Sequence, residues 1–352
     1  LFPSMPDDPS AMAEIIVTPQ YQIAAKIDGD FTALNQLTKT DGTEPVYLDE
    51  VMESVGRLHA YLKSIQDAPD VGKAALKAAQ ERLTLNDADP IYALERISAN
   101  LPKPMDTMVG KLASESWKVV LQSAIKHLEV RWYNEVYQEY QQSLASRYPF
   151  NPASNKQVSI DDFQNFFGPQ GTLNRFYNDQ MKMFLEENFD ALNQFSKGDA
   201  NLVRNEVLQS LKQAQQIQKA FFNPKGNLDV EFSLEALQMS PNKRRSVMNI
   251  DGQFVEYTHG PQRGIDLVWP NTLRESAVSK LTLVPSESNA SPRSIVYEGP
   301  WAFFRLLDSA RMSGSSSTSI DYQFEVDKGD VTYRLRTRDN VNPFTSKLLS
   351  SF

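Results

Sequence analysis

Side chains capable of chemistry are few and scattered. The 352-residue sequence holds three histidines and no cysteine, which removes thiolate nucleophiles, thiolate metal sites and disulfide frameworks together. His59, His127 and His259 fall in three separate segments, and none has a second metal-competent side chain at ligand spacing. An imidazole base also needs an orienting partner, and no such pairing is readable. Gly110-Lys111 could end a phosphate-cradling loop, but Met105 stands where that loop needs its first glycine. The Gly-x-Gly-x-x-Gly, His-Glu-x-x-His, Gly-x-Ser-x-Gly and EF-hand spacings are absent from the sequence.

The remaining charged groups favour structural readings. Asp161-Asp162 and Glu186-Glu187 are adjacent pairs, which diverge on a helix, so caps and solvated faces are favoured over acid/base work. Lys243-Arg244-Arg245 begins near a strand start; an exposed edge guarded by charge is favoured over an anion site. His259 sits in Glu256-Tyr257-Thr258-His259-Gly260-Pro261. It is either a partner-contacting or acid-sensing imidazole or, the favoured reading, a turn in which histidine bonds to backbone and Gly-Pro redirects the strand. We therefore expect no catalytic residue, no cofactor and no metal.

The elements that carry these residues change character along the chain. Val51, Val55, Leu58, Leu62 and Ile65 form one helical stripe within 46–66. Further helices are predicted over 70–85 and 91–100, the latter with Pro90 just inside its start. Over 105–146, Val120, Ala124, Leu128, Trp132, Val136, Tyr140 and Leu144 recur every four residues, a helix of about 60 Å if continuous. Pro149 and Asn151-Pro152 stop it. Ser159 then caps a short helix that ends at Gly168-Pro169, and helices over 171–187 and 200–222 follow. Beyond Asn223-Pro224-Lys225-Gly226 the period becomes two, in Val230/Phe232/Leu234, Ile265/Leu267/Trp269, Tyr322/Phe324/Val326 and Val331/Tyr333/Leu335. Asp251-Gly252 and Asp327 to Asp330 read as hairpin loops. Pro300 opens one inserted helix with Trp301, Phe304 and Leu307 on its buried stripe and Arg305, Asp308 and Arg311 on the wetter side, and Ser313 to Ser317 reads as a loop.

The expected fold class is α+β: an N-terminal all-helical domain over 1–222, divisible at 103/104, then an antiparallel β-sandwich-like domain over 226–352 with a C-terminal tail. Trp269 and Trp301, beside Pro and Gly, are expected in the core rather than at an interface. Charge narrows the function. Residues 1–222 hold 21 Lys/Arg against 29 Asp/Glu, and 223–352 hold 15 of each. Neither part has the basic footprint of a nucleic-acid binder, and anionic membrane surfaces are disfavoured. No run approaches the ~18 apolar residues of a membrane span, and the start lacks signal-peptide regions. The chain reads as an excised soluble fragment whose address and membrane attachment would come from upstream segments.

Aromatic strings punctuated by Gly and Pro carry a resemblance. Arg147-Tyr148-Pro149-Phe150, Asp162-Phe163-Gln164-Asn165-Phe166-Phe167-Gly168-Pro169, His259-Gly260-Pro261, Trp269-Pro270 and Gly299-Pro300-Trp301-Ala302-Phe303-Phe304-Arg305-Leu306 follow one another. In this order they resemble the C-terminal region of the TssM/IcmF family, the inner-membrane core component of type VI secretion systems. The similarity spans about 100–340, with Thr258 where the family commonly has Arg. It implies a periplasmic, non-enzymatic scaffold whose β-domain engages the outer-membrane lipoprotein TssJ, with TssL and further TssM copies as partners of the complete molecule. The family's membrane helices and cytoplasmic NTPase-like domain lie outside this sequence. Adaptable loops at Pro285 to Arg293 and Met312 to Thr318 nominate Ser286, Glu287, Ser288, Asn289, Ser313, Gly314 and Ser315 for partner binding. The alternative is a carbohydrate-active or peptidoglycan-binding β-sandwich, a class that uses exposed Trp and carboxylates.

Overall fold

Val51, Leu58 and Ile65, spaced by seven, are buried along one side of α3 (Tyr47–Gln66), with Val55 and Leu62 half-buried beside them. That stripe belongs to the first of two compact units in this computed structural model, which describes residues 9–36, 47–83, 89–185, 205–271, 276–316, 318–337 and 342–352. The described residues up to Leu128 form the first unit and those from Glu129 onward the second.

The first unit is helical. It comprises α1 (Pro9–Ile16), α2 (Pro19–Gln36), α3, α4 (Val71–Leu83), α5 (Pro90–Ser98) and most of α6 (Met105–Arg131). Asp89 caps α5, its carboxylate accepting from Ile91 N at 3.0 Å, with Pro90 at the first helical position. Arg82 pairs with Asp89, donates to both Glu95 oxygens at 3.0 and 2.9 Å, and lies 4.7 Å over the Trp117 ring. A guanidinium this far enclosed is tolerated because its donors are matched. Gly72 lets α4 and α6 approach: a Cβ there would sit 2.7 Å from His127 Nδ1.

The second unit joins helices to sheets. The backbone of α6 passes through π turns at Trp132–Tyr137 and Gln141–Ala145. Trp132, Val136, Tyr140 and Leu144 recur every four residues, which an α-helix would carry about 40° further round at each step. The wider i→i+5 turns rotate less per residue and hold the series on one side. Ser159 caps α7 (Ile160–Phe167) through its hydroxyl, which accepts from Asp162 N at 3.0 Å. There follow α8 (Thr172–Phe176), running on through a π turn to Leu185, and α9 (Asn205–Phe221). Glu186 and Glu187 lie outside the described residues.

From Val230 the chain builds two antiparallel sheets. The strands are β1 (Val230–Met239), β2 (Lys243–Ile250), β3 (Gln253–Tyr257), β4 (Gly264–Trp269), β5 (Val278–Pro285), β6 (Arg293–Glu298), β7 (Arg311–Ser315), β8 (Ser319–Val326) and β9 (Gly329–Thr337). They order as β4-β1-β9-β8-β7 and β3-β2-β5-β6. Both two-residue turns, Asp251-Gly252 and Asp327-Lys328, have positive φ at both positions, the twist that tight hairpins require. The inserted helix α10 (Ala302–Asp308) lies between β6 and β7, and α11 (Ser346–Ser350) ends the chain.

Three expectations are corrected. Arg311–Ser315 is a strand, because pairing with β8 uses main-chain groups and needs no apolar alternation; Ser317 lies outside the described residues. Lys243 does not guard an exposed edge. β2 is paired on both sides, and the Lys243 side chain is buried with Nζ donating to Asp327 O at 2.7 Å. Finally, α10 buries more than one stripe: Ala302, Phe303, Phe304, Leu306 and Leu307 are all enclosed. Phe303 stacks on Phe232 at 5.2 Å while Phe304 faces Trp269 at 4.8 Å.

Candidate partner-binding surface

The aromatic strings other than His259-Gly260-Pro261 converge on one end of the sandwich. Trp301 is fully buried, its ring 5.2 Å from Phe163, 4.8 Å from Trp269 and 5.0 Å from Phe304. Phe150 stacks on Phe167 at 5.7 Å, and Phe166 meets Phe167 edge-on at 4.9 Å. Helical portion and sheets therefore share a core within this unit. Hydrogen bonds fix the contact. Trp301 Nε1 donates to Val158 O at 2.8 Å, and Gln157 accepts from Trp301 N at 2.9 Å while donating to Glu298 O at 2.7 Å.

Tyr148, Arg305 and Asp308 form the one titratable cluster in that contact. Tyr148 Oη donates to Asp308 at 2.6 Å; Arg305 stacks 4.0 Å over the Tyr148 ring and donates to Ser154 O at 2.6 Å. Partial enclosure holds the Asp308 carboxyl above the usual carboxylate range, although the residue keeps an exposed side and the Tyr148 bond and Arg305 pull the other way. Burial and the neighbouring carboxylate push Tyr148 up as well. The adjoining cavity, lined by Tyr148, Asp308 and Thr345, measures about 20 Å³, room for one water. Tyr148 is buried and Asp308 keeps an exposed side, and their bond latches α10 to the 147–158 loop. Among the described residues there is also no cluster of three metal-competent side chains. A cleft of about 360 Å³ lies along Lys219, Asn223, Lys225, Asp229 and Thr337. There Asn223 bonds Asp229 at 3.0 Å.

The opposite end of the sandwich gathers exposed connections. The loop carrying Ser286, Glu287, Ser288 and Asn289 is pinned to the β1–β2 turn by Ser286 N donating to Asn242 O at 2.9 Å. Asn242 in turn donates to Lys328 O at 3.0 Å. His259, at φ 60°, places Nε2 2.7 Å from Lys243 O, so it fixes the β3–β4 loop at the same end, with Gly260 and Pro261 exposed beside it. The sequence reading passed over Asn242, Lys243 and Lys328 as anchors; only the hairpin signature at Asp327-Lys328 pointed there.

Ser313, Gly314 and Ser315 lie elsewhere. Gly314 pairs with Asp321 and Ser315 with Ile320, whereas the 286–289 loop sits at the Val326 end of β8, about 20 Å away at ~3.4 Å per residue. The two nominated groups are thus not one site. The glycan-binding alternative rested on exposed tryptophans, yet Trp117, Trp269 and Trp301 are buried, and Trp132 packs edge-on against Phe176 at 5.5 Å.

Family models divide the second unit into its helical and its sheet portion. The family model for the type VI secretion protein IcmF helical domain matches residues 123–227, and that for the IcmF C2-like domain matches 232–339. The type VI secretion system component TssM1 of Pseudomonas aeruginosa is 26% identical over 332 residues, 93% of this chain and 29% of its own length. The chain thus spans under a third of that curated relative. A chain of a type VI secretion system membrane core complex superposes with a TM-score of 0.75 at 18% identity, covering 97% of this chain and 72% of that one. The TssM C-terminal domain from EAEC gives 0.53 at 19%, over 65% and 94%. These two likenesses establish the fold.

Proposed function

Because the chain belongs to the TssM/IcmF family, as its C-terminal helical and C2-like region, we propose that it is a non-enzymatic scaffold module of a type VI secretion membrane complex. No described helix is long and apolar enough to cross a membrane, and in this reading the module works in the periplasm, tethered through upstream segments. The observation that supports scaffolding most directly is the division of labour in the second unit. One end of the sandwich is plugged by Trp301, Trp269, Phe163 and Phe221, and the other offers loops whose bases are locked by Lys243, Asn242 and His259. Locked bases with exposed tips suit a surface that binds without rearranging.

The partner for those tips is the outer-membrane lipoprotein TssJ, with TssL and further copies of the family joining other parts of the complete molecule. Calorimetry of the whole 352-residue chain against the soluble part of the lipoprotein tests the assignment. Ser288→Arg with Asn289→Arg should weaken binding by roughly tenfold or more, the cost of a disrupted interface centre, while Ser313→Arg should not. Equal affinity in all variants would move the contact off this end, and absence of binding by the parent chain would remove the partner.

A further inference from the structure

Four strands form the edges of the two sheets, and three are obstructed. Gln253 of β3 turns its carboxamide onto β4, donating to Val268 O at 2.8 Å and accepting from Val268 N at 3.0 Å. One side chain thus occupies the β4 edge and brings β4 alongside β3, where an added strand would have to lie. β7 is five residues long and bulged between Met312 and Gly314, a device that turns an edge away from pairing.

β6 has none of these features. Its register with β5 runs unbroken from Glu298 opposite Val278 to Arg293 opposite Leu283. Gly299 N donates to Ala277 O at 2.9 Å, so Gly299 faces β5, and Glu298 faces outward, where its carbonyl meets Gln157. Alternation then turns the N–H and C=O of Val296 and Ser294 outward as well. Both residues are exposed, and among the described residues no backbone group bonds to them on that side. The Gln157 carboxamide, bonded to Glu298 O and Trp301 N, already stands in for one peptide unit of a missing neighbour.

We propose that the β6 edge is a strand-addition site: an extended segment of a different polypeptide pairs its main chain with Ser294 and Val296, continuing the row that Gln157 begins. Side chains on one face of that segment would meet half-buried Ile295 and Tyr297, so alternate positions of the guest should be apolar. A second copy of this chain is a poorer guest. Outward residues must pair with outward residues, which sets Glu298 opposite Ser294 or beyond the strand and never opposite Arg293, so self-pairing gains no charge complementarity. The site is distinct from the end loops and does not rest on their assignment to a lipoprotein.

The test uses the full chain and a probe peptide of alternating threonine and valine with terminal lysines. Residue-resolved amide exchange should slow by roughly tenfold at Ser294 and Val296, as for amides newly placed in a ladder. Val296→Pro removes one outward N–H at an edge position that tolerates proline and should abolish the effect. The same peptide methylated on alternate backbone nitrogens should also fail, a control that leaves the protein's own fold untouched. Binding without protection of these amides, or equal binding of the methylated peptide, would overturn the proposal. Protection that rises with protein concentration in the absence of peptide would assign the edge to a second copy and overturn the stated guest.

Discussion

Trp301 is the position where the shared core can be tested most sharply. Truncation to alanine removes a fully buried indole in contact with Phe163, Phe221, Trp269 and Phe304, a loss of about 3–5 kcal/mol. It also strips Val158 O of its donor, and a buried carbonyl left alone costs ~1–3 kcal/mol. The total should therefore sit at the upper end of the first range or above it. For a cooperative unit of this size that lowers Tm by roughly 10 °C or more. Trp301→Phe keeps most of the apolar volume but not the N–H, so about 1–3 kcal/mol is expected from the orphaned carbonyl. Urea denaturation gives the magnitudes, and amide exchange in α7 and in β9 reports the two sides of the contact. Both segments should lose protection together. If Trp301→Ala loosens β9 and leaves α7 at parental protection, the two do not share one core and the reasoning fails.

Four further outcomes are expected elsewhere in the chain. We propose that Asn223-Pro224-Lys225-Gly226 marks a boundary of sequence modules rather than of stability, so residues 226–352 expressed alone should bind a hydrophobic dye and lack a sharp thermal transition; a cooperative melt would refute this. Two bonds from Arg334 hold Asp321 below the usual carboxylate range, and Ser240 and Gln323 do so for Asp330. Their stabilisation is present above the unfolded-state value of ~3.9 and is lost as pH falls through the folded values, so Asp321→Asn should flatten the acid limb of a denaturation series. Asp308, raised by burial, has the opposite sign: its contribution is present below the unfolded-state value and lost as pH rises through the folded one. Asp308→Asn should remove that counter-trend, measured in the same series. Gly72→Ala drives a methyl into His127 and should destabilise the first unit by about 1–3 kcal/mol, the usual cost of overpacking, while His127→Ala in the same chain should restore part of the loss in a thermal melt.

Much of this architecture is readable in the sequence because its signals are local. The Val51, Leu58 and Ile65 stripe, the Ser159 cap and the Asp251-Gly252 turn each need only a few neighbouring residues. The aromatic strings announce anchors but not their mates, since Phe163 and Trp301 are joined only by the fold. β6 and β7 went unread because most of their side chains are exposed, so alternation carries no apolar signal; β5 went unread as well, although its Leu281 and Leu283 alternate into the core. Lys243 was misread because the group that justifies its burial, the Asp327 carbonyl, lies 84 residues away. The π turns left no distinct trace, because the four-residue spacing over Trp132 to Leu144 continues that of Val120, Ala124 and Leu128, which lie buried in regular α-helix. For the partner surface, composition nominated the 286–289 loop, but the locking of its base to Asn242 and Lys328 is long-range.

The route by which the chain enters the sandwich has a mechanical consequence. α9 leads through a short connection into β1, which pairs with β4 over Val230 to Glu235 and with β9 over Phe232 to Met239. A load that enters through α9 and leaves through the loops at the 286–289 end runs along β1, while the hydrogen bonds of that strand lie across its axis. Such a load shears the two ladders and must rupture many bonds together, whereas a pull on an edge strand would peel them one at a time. Tension is thus delivered to the most resistant strand available, and the force needed to extract β1 should far exceed that needed to strip β7.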